Sequence, residues 1–137
     1  MHIEIGEGIR SVLILEDEGI VAMMMEDLVR ELRVRDVHVC ADVESALKVL
    51  RNEDIDCAVL DLWLRGDTSR AVADACADQS IPFLFSTGSD LGAIDDRHAG
   101  RPMIGKPFAD DDFKLVLVDT WSRGRGQPAS MLAAASA

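Results

Sequence analysis

Five polar residues stand where short apolar runs end: Glu16 and Asp17 after SVLIL, Asp61 after CAVL, Thr87 after FLFS, and Lys106 after PMIG. Carboxylates drawn to one point repel one another and resist ionisation unless a cation joins them. Glu16, Asp17 and Asp61 brought together therefore suit a hard divalent ion. Magnesium takes oxygen ligands in an octahedron and keeps some of its waters, which leaves room for a loop carbonyl and a phosphoryl oxygen. Lys106 supplies a point charge for a phosphate oxygen, and the Thr87 hydroxyl can donate to another. The chemistry that uses all five is phosphoryl transfer onto a carboxylate. Asp61 is then the nucleophile, while metal and lysine neutralise charge on the transferring group.

These residues meet only if the fold brings the ends of the runs to one edge. Residues 11–16, 36–40, 55–61, 81–87 and 101–105 are apolar runs too short for helices and read as five strands. The central three are apolar on both faces, the pattern of parallel strands covered by helices on each side. Between strands, Ile20, Met24, Leu28 and Leu32 recur every four residues, and Val43, Ala46, Leu47 and Leu50 follow a similar stripe. Ala71, Val72, Ala75 and Cys76 mark a third helix with Asp67, Thr68 or Ser69 as its N-cap, and Phe113, Val116, Leu117 and Trp121 mark a fifth. The fourth, over residues 89–100, holds two glycines and only Leu91 and Ile94 to pack, which predicts a short or mobile helix. Five strand–helix repeats wind into a doubly wound α/β sandwich, and in such sheets ligands bind beyond the carboxyl ends of the strands.

The whole chain is compatible with that picture. With 137 residues, 48% of them hydrophobic, it can bury one core. A net charge of -11 argues against nucleic acid or an anionic membrane as partner. No apolar run approaches a membrane span and the first residues lack a leader pattern, so a soluble, cytoplasmic protein is expected. Residues 123–137, rich in Gly, Ser and Ala, read as a flexible tail with no output domain, and residues 1–122 as the single domain. Cys40, Cys57 and Cys76 lack metal-ligand spacing and read as buried thiols. Met23 to Met25 are expected to fill core, with Met24 on the apolar stripe, and Asp110 to Asp112 to complement the dipole of the fifth helix. His2, His38 and His98 are scattered and suggest no catalytic imidazole.

The acidic pair in LILEDE, the aspartate in AVLDLWL, the threonine in FSTG and the lysine in GKPF resemble, in that order, the motifs of response regulator receiver domains. The resemblance runs from about Arg10 to Ser122. It implies a flavodoxin-like sheet of order 2-1-3-4-5, with Asp61 as phosphoacceptor, Asp17 as direct Mg ligand, Glu16 as its partner, and Trp63 lending its backbone carbonyl. Thr87 and Lys106 would contact the phosphoryl group, and the Lys106–Pro107 bond would be cis as in many receivers. Typical receivers carry an aromatic residue three positions before the lysine, where this chain has Met103. PFLFSTG is instead similar to the FATGUY subgroup, through Pro82, Phe83, Phe85, Thr87 and Gly88. That subgroup implies a sensor histidine kinase of the HWE type, or a phosphotransfer protein, docking on the first helix, and an unknown downstream protein. A monomer or weak dimer is expected, with Trp63 as an optical reporter of Asp61.

Other readings compete. An acidic pair after a strand is, by itself, as much a helix-capping pair as a metal site. A magnesium-dependent phosphatase of the haloacid dehalogenase type would need a second carboxylate two residues past Asp61, where Trp63 stands. A phosphorylation-independent binding module would keep the acidic edge and signal through constitutive contacts.

Overall fold

The computed structural model describes residues 8–88 and 94–124. In chain order the elements are β1 (Ser11–Leu15), α1 (Gly19–Glu31), β2 (Asp36–Cys40), α2 (Val43–Asn52), β3 (Cys57–Asp61), β4 (Trp63–Leu64), β5 (Asp67–Thr68), α3 (Arg70–Asp78), β6 (Phe83–Thr87), β7 (Met103–Gly105) and α4 (Asp110–Gly124). One sheet holds the strands in order β2-β1-β3-β6-β7, all parallel. Counting those five alone, this is the order 2-1-3-4-5 expected from the sequence.

Every residue of β1, β3 and β6 is buried, as strands lacking a polar face require. Because alternate residues of a strand point to opposite faces, the sheet divides the core into two layers. Leu13, Leu60, Phe83 and Phe85 pack with Leu50 of α2 and with Val72 and Cys76 of α3. Ile14, Val59 and Leu84 pack on the other side with Met25 and Leu28 of α1 and with Phe113 and Leu117 of α4. The three cysteines stand outside any disulfide and are buried within these layers. Burial pushes the Cys76 thiol up to about 12.

The first helix departs from its expected face. Ile20, Met23 and Met24 are exposed, whereas Met25 is fully buried. Four residues overshoot a 3.6-residue turn by about 40°, so a strict four-residue stripe drifts around the helix. The buried face follows Ala22, Met25, Leu28 and Val29 instead. Core filling therefore applies to Met25 and not to its two predecessors.

Two further segments take a more specific form than the pattern predicts. Asp67 and Thr68 belong to a two-stranded antiparallel hairpin with Trp63 and Leu64, leaving Ser69 as the N-cap of α3. Gly66 sits at its turn with φ +76°, a left-handed conformation that favours glycine. Of the expected fourth helix, residues 89–93, Leu91 included, lie outside the described residues. In the remainder Ile94 packs on the core and Asp96–His98 forms one 3₁₀ turn. The helix α4 carries Asp110, Asp111 and Asp112 in its first turn and runs through Gly124. No helix among the described residues is long and apolar enough to cross a membrane.

Candidate functional site

Strand register brings the five residues to one edge. Leu15 pairs with Leu60, Asp61 with Ser86, and Thr87 with Gly105, so Glu16, Asp61, Thr87 and Lys106 leave the sheet at neighbouring points. The Lys106 N–H donates to the Thr87 carbonyl at 2.8 Å, and the Glu16 N–H to the Cys40 carbonyl at 3.0 Å, which extends the ladders one step past the strands. Asp17 and Trp63 each lie two residues past the ends of β1 and β3. The Lys106–Pro107 peptide is cis.

Oxygen atoms of Glu16, Asp17 and Asp61 lie within 4.8 Å of one another. One backbone N–H fixes an oxygen of each. Glu18 donates to Glu16 Oε2 at 3.1 Å, Arg65 to Asp17 Oδ2 at 2.8 Å, and Trp63 to Asp61 Oδ1 at 3.3 Å. Two of those donors come from the segment around the β4–β5 hairpin, a positioning device with no signature in the acidic motif itself. The N-cap of α1 is Glu18, which makes no side-chain capping bond, so Glu16 and Asp17 are not the capping pair of that helix.

Lys106 holds the second oxygens of Glu16 and Asp61. Its Nζ donates to Glu16 Oε1 at 3.1 Å and to Asp61 Oδ2 at 3.3 Å. Glu16 is almost wholly buried, and that burial, with the neighbouring Asp61 carboxyl next, raises its pKa above the usual carboxylate range. Burial pulls the Lys106 ammonium down, but its bonds to Glu16 and Asp61 outweigh this and leave its pKa raised. The sequence pattern assigns this lysine to a phosphate oxygen and carries no signal of its ion pair with buried Glu16. Thr87 is buried, with an Oγ1 that has no hydrogen-bond partner among the described residues. Trp63 leaves its indole exposed beside the cleft that Glu18, Asp61, Lys106 and Pro107 line.

The donor set is all oxygen, close-set, and includes a buried carboxylate that resists ionisation where it stands. That chemistry fits a hard divalent cation. A second cluster of metal-capable side chains, Asp74, Asp95 and His98, lies away from this edge.

An open parallel sheet of this order thus gathers three carboxylates, a threonine and a lysine at its carboxyl edge. No protein-family model matches the chain, and no curated protein matches it. Solved structures do. It is similar to SdrG from Sphingomonas melonis Fr1, at 38% identity over 80% of this chain and 96% of that one, with a TM-score of 0.69. The BeF3-activated conformation of SdrG, its source given as Pseudomonas melonis Fr1, matches at 37% identity over 82% and 98%, with a TM-score of 0.68. The receiver domain of the sensor histidine kinase PA1611 from Pseudomonas aeruginosa PAO1, with magnesium in its active-site cleft, shares the fold at 20% identity, 84% and 99% coverage and a TM-score of 0.70. The chain belongs to the response regulator receiver domains.

Proposed function

We propose that this receiver is a phosphorylation-dependent switch that takes a phosphoryl group on Asp61 from a histidine kinase and signals through protein contacts. The observation that carries the reading is the site's geometry. Asp61 stands at the sheet edge, within reach of two further carboxylates and of Lys106. An Asp61 oxygen forms the new bond to phosphorus as the P–N bond of a phosphohistidine breaks, its electron pair staying on the imidazole. Lys106 follows the charge onto the phosphoryl oxygens, and the free Thr87 hydroxyl donates to one of them. Glu16, Asp17, Asp61 and the Trp63 carbonyl would hold magnesium, which supplies positive charge to the transferring group. The BeF3-activated form of SdrG supports a phosphoryl-sensing switch in this chain too.

The kinase is proposed to be of the HWE type and to dock on α1. Exposed Ile20, Met23 and Met24 give that helix an apolar surface, and its N-cap Glu18 and its Val21 border the Asp61 cleft. Turnover of small phosphoesters is disfavoured, because exposed Trp63 occupies the position where such an enzyme carries its acid.

Intact mass after incubation with a small-molecule phosphodonor, and with an HWE-type kinase, tests the reading. A magnesium-dependent gain of one phosphoryl group in wild type, absent in Asp61→Asn, is expected. No gain from either donor would replace the switch with a phosphorylation-independent binding module.

A further inference from the structure

His98 takes no part in the site above, yet it is the most buried of the described histidines, with 2% exposure. It ends the 3₁₀ turn between β6 and β7. Its Nε2 donates to Asp74 Oδ1 of α3 at 2.7 Å, because an ionised carboxylate only accepts. Its ring meets Phe83 and Phe85 edge-on, with centroids 5.5 and 6.3 Å away. Its Nδ1 is buried with no hydrogen-bond partner among the described residues. Around it, Arg97 reaches Asp78 at 2.6 Å and Asp74 at 3.4 Å, and Arg70 reaches Asp95 at 2.9 Å. Those exposed pairs are weak fasteners, but together with His98 they join residues 95–98 to α3 on two sides. Asp74, Asp95 and His98 lie close enough for a metal ion, but Arg70 and Arg97 already compensate both carboxylates.

The position of the ring matters because of what lies along the strand. Phe83, Phe85 and Thr87 alternate onto one face of β6, so Phe85, one of the two rings that His98 meets, lies two residues from Thr87 on the same face. Met103, opposite Phe85 in register, contributes no ring to this layer. One hydrogen bond and two edge contacts hold the imidazole, and its second nitrogen has a partner to gain by moving.

We propose that His98 is a positioning residue that couples Thr87 to α3. When the Thr87 hydroxyl turns to a phosphoryl oxygen, Phe85 repacks, the His98 ring shifts, and its bond to Asp74 changes. The coupling rests on the phosphorylation of Asp61 proposed above.

The imidazole resonances of the full chain report it directly. A His2→Gln/His38→Gln variant leaves His98 as the single imidazole, and its resonance is followed with and without phosphodonor and magnesium while mass records phosphoryl uptake. The expected result is a displaced His98 resonance in the phosphorylated protein, with changed amide exchange across Arg70–Asp78. His98→Phe keeps a ring but loses the bond. It should gain the phosphoryl group to the same extent as wild type and lose the response of α3, whereas Asp74→Asn, which keeps an acceptor oxygen, should retain part of it. A phosphorylated protein whose His98 resonance does not move, or a His98→Phe protein whose α3 responds like wild type, overturns the coupling and leaves the switch standing. Absence of phosphoryl uptake in wild type removes the switch and the coupling together. Should His98→Phe fail to fold, the single-imidazole variant decides alone.

Discussion

At the scale of the residue, Glu16 bears the strongest constraint, since it is buried beside another carboxylate and answered by one ammonium. Its pKa is raised, first by burial and then by Asp61, so the folded chain holds the Glu16 proton more tightly than the unfolded chain does. Raising the pH strips that proton at greater cost in the folded state. Without divalent cation, stability should therefore fall as pH climbs from the ordinary 4.5 through the raised value. Urea denaturation in chelator across that window should show the decline, and Glu16→Gln should flatten it. A slope unchanged in the variant would assign the titration elsewhere.

At the scale of the element, α1 and the β4–β5 hairpin make opposite points about local pattern. In α1 two adjacent methionines have opposite fates, because a single-residue step turns the helix by about 100°. Met25→Ala should cost about 2–5 kcal/mol through its lost core contacts, and Met24→Ala no more than about 0.5 kcal/mol. Equal losses in urea midpoint would contradict the observed face. The hairpin depends on Gly66, where φ is +76° and a Cβ would meet nothing within 4 Å. Gly66→Ala should therefore cost about 1–2 kcal/mol from backbone conformation alone. The same change should slow phosphoryl uptake at Asp61, because the N–H of Arg65, the residue before it, fixes Asp17.

At the scale of the whole molecule, a net charge of -11 works against compactness. Raising ionic strength from about 0.01 M to about 0.15 M, which shortens the screening length from about 30 to about 8 Å, should raise the urea midpoint. A midpoint that stayed constant, or fell, would show that the ion pairs on α3 and α4 outweigh the general repulsion.

The amino-acid sequence by itself determined the five strands of the parallel sheet and the identity of the five edge residues. Strands buried on both faces must be apolar throughout, so a polar residue ending such a run has to emerge at a sheet edge. The sequence also carried the departure at Met103. Tertiary structure alone decided how those residues are held: the backbone N–H groups of Trp63 and Arg65 on Asp61 and Asp17, and the bond of Lys106 to Glu16. These contacts join residues far apart in the chain or depend on a turn, and neither leaves a periodic trace. The same holds for the buried face of α1, which is set by the residues that pack against the sheet and α4. It holds above all for His98, one of several polar residues in an apolar-poor segment, buried because α3 offers Asp74 and β6 offers two phenylalanine rings.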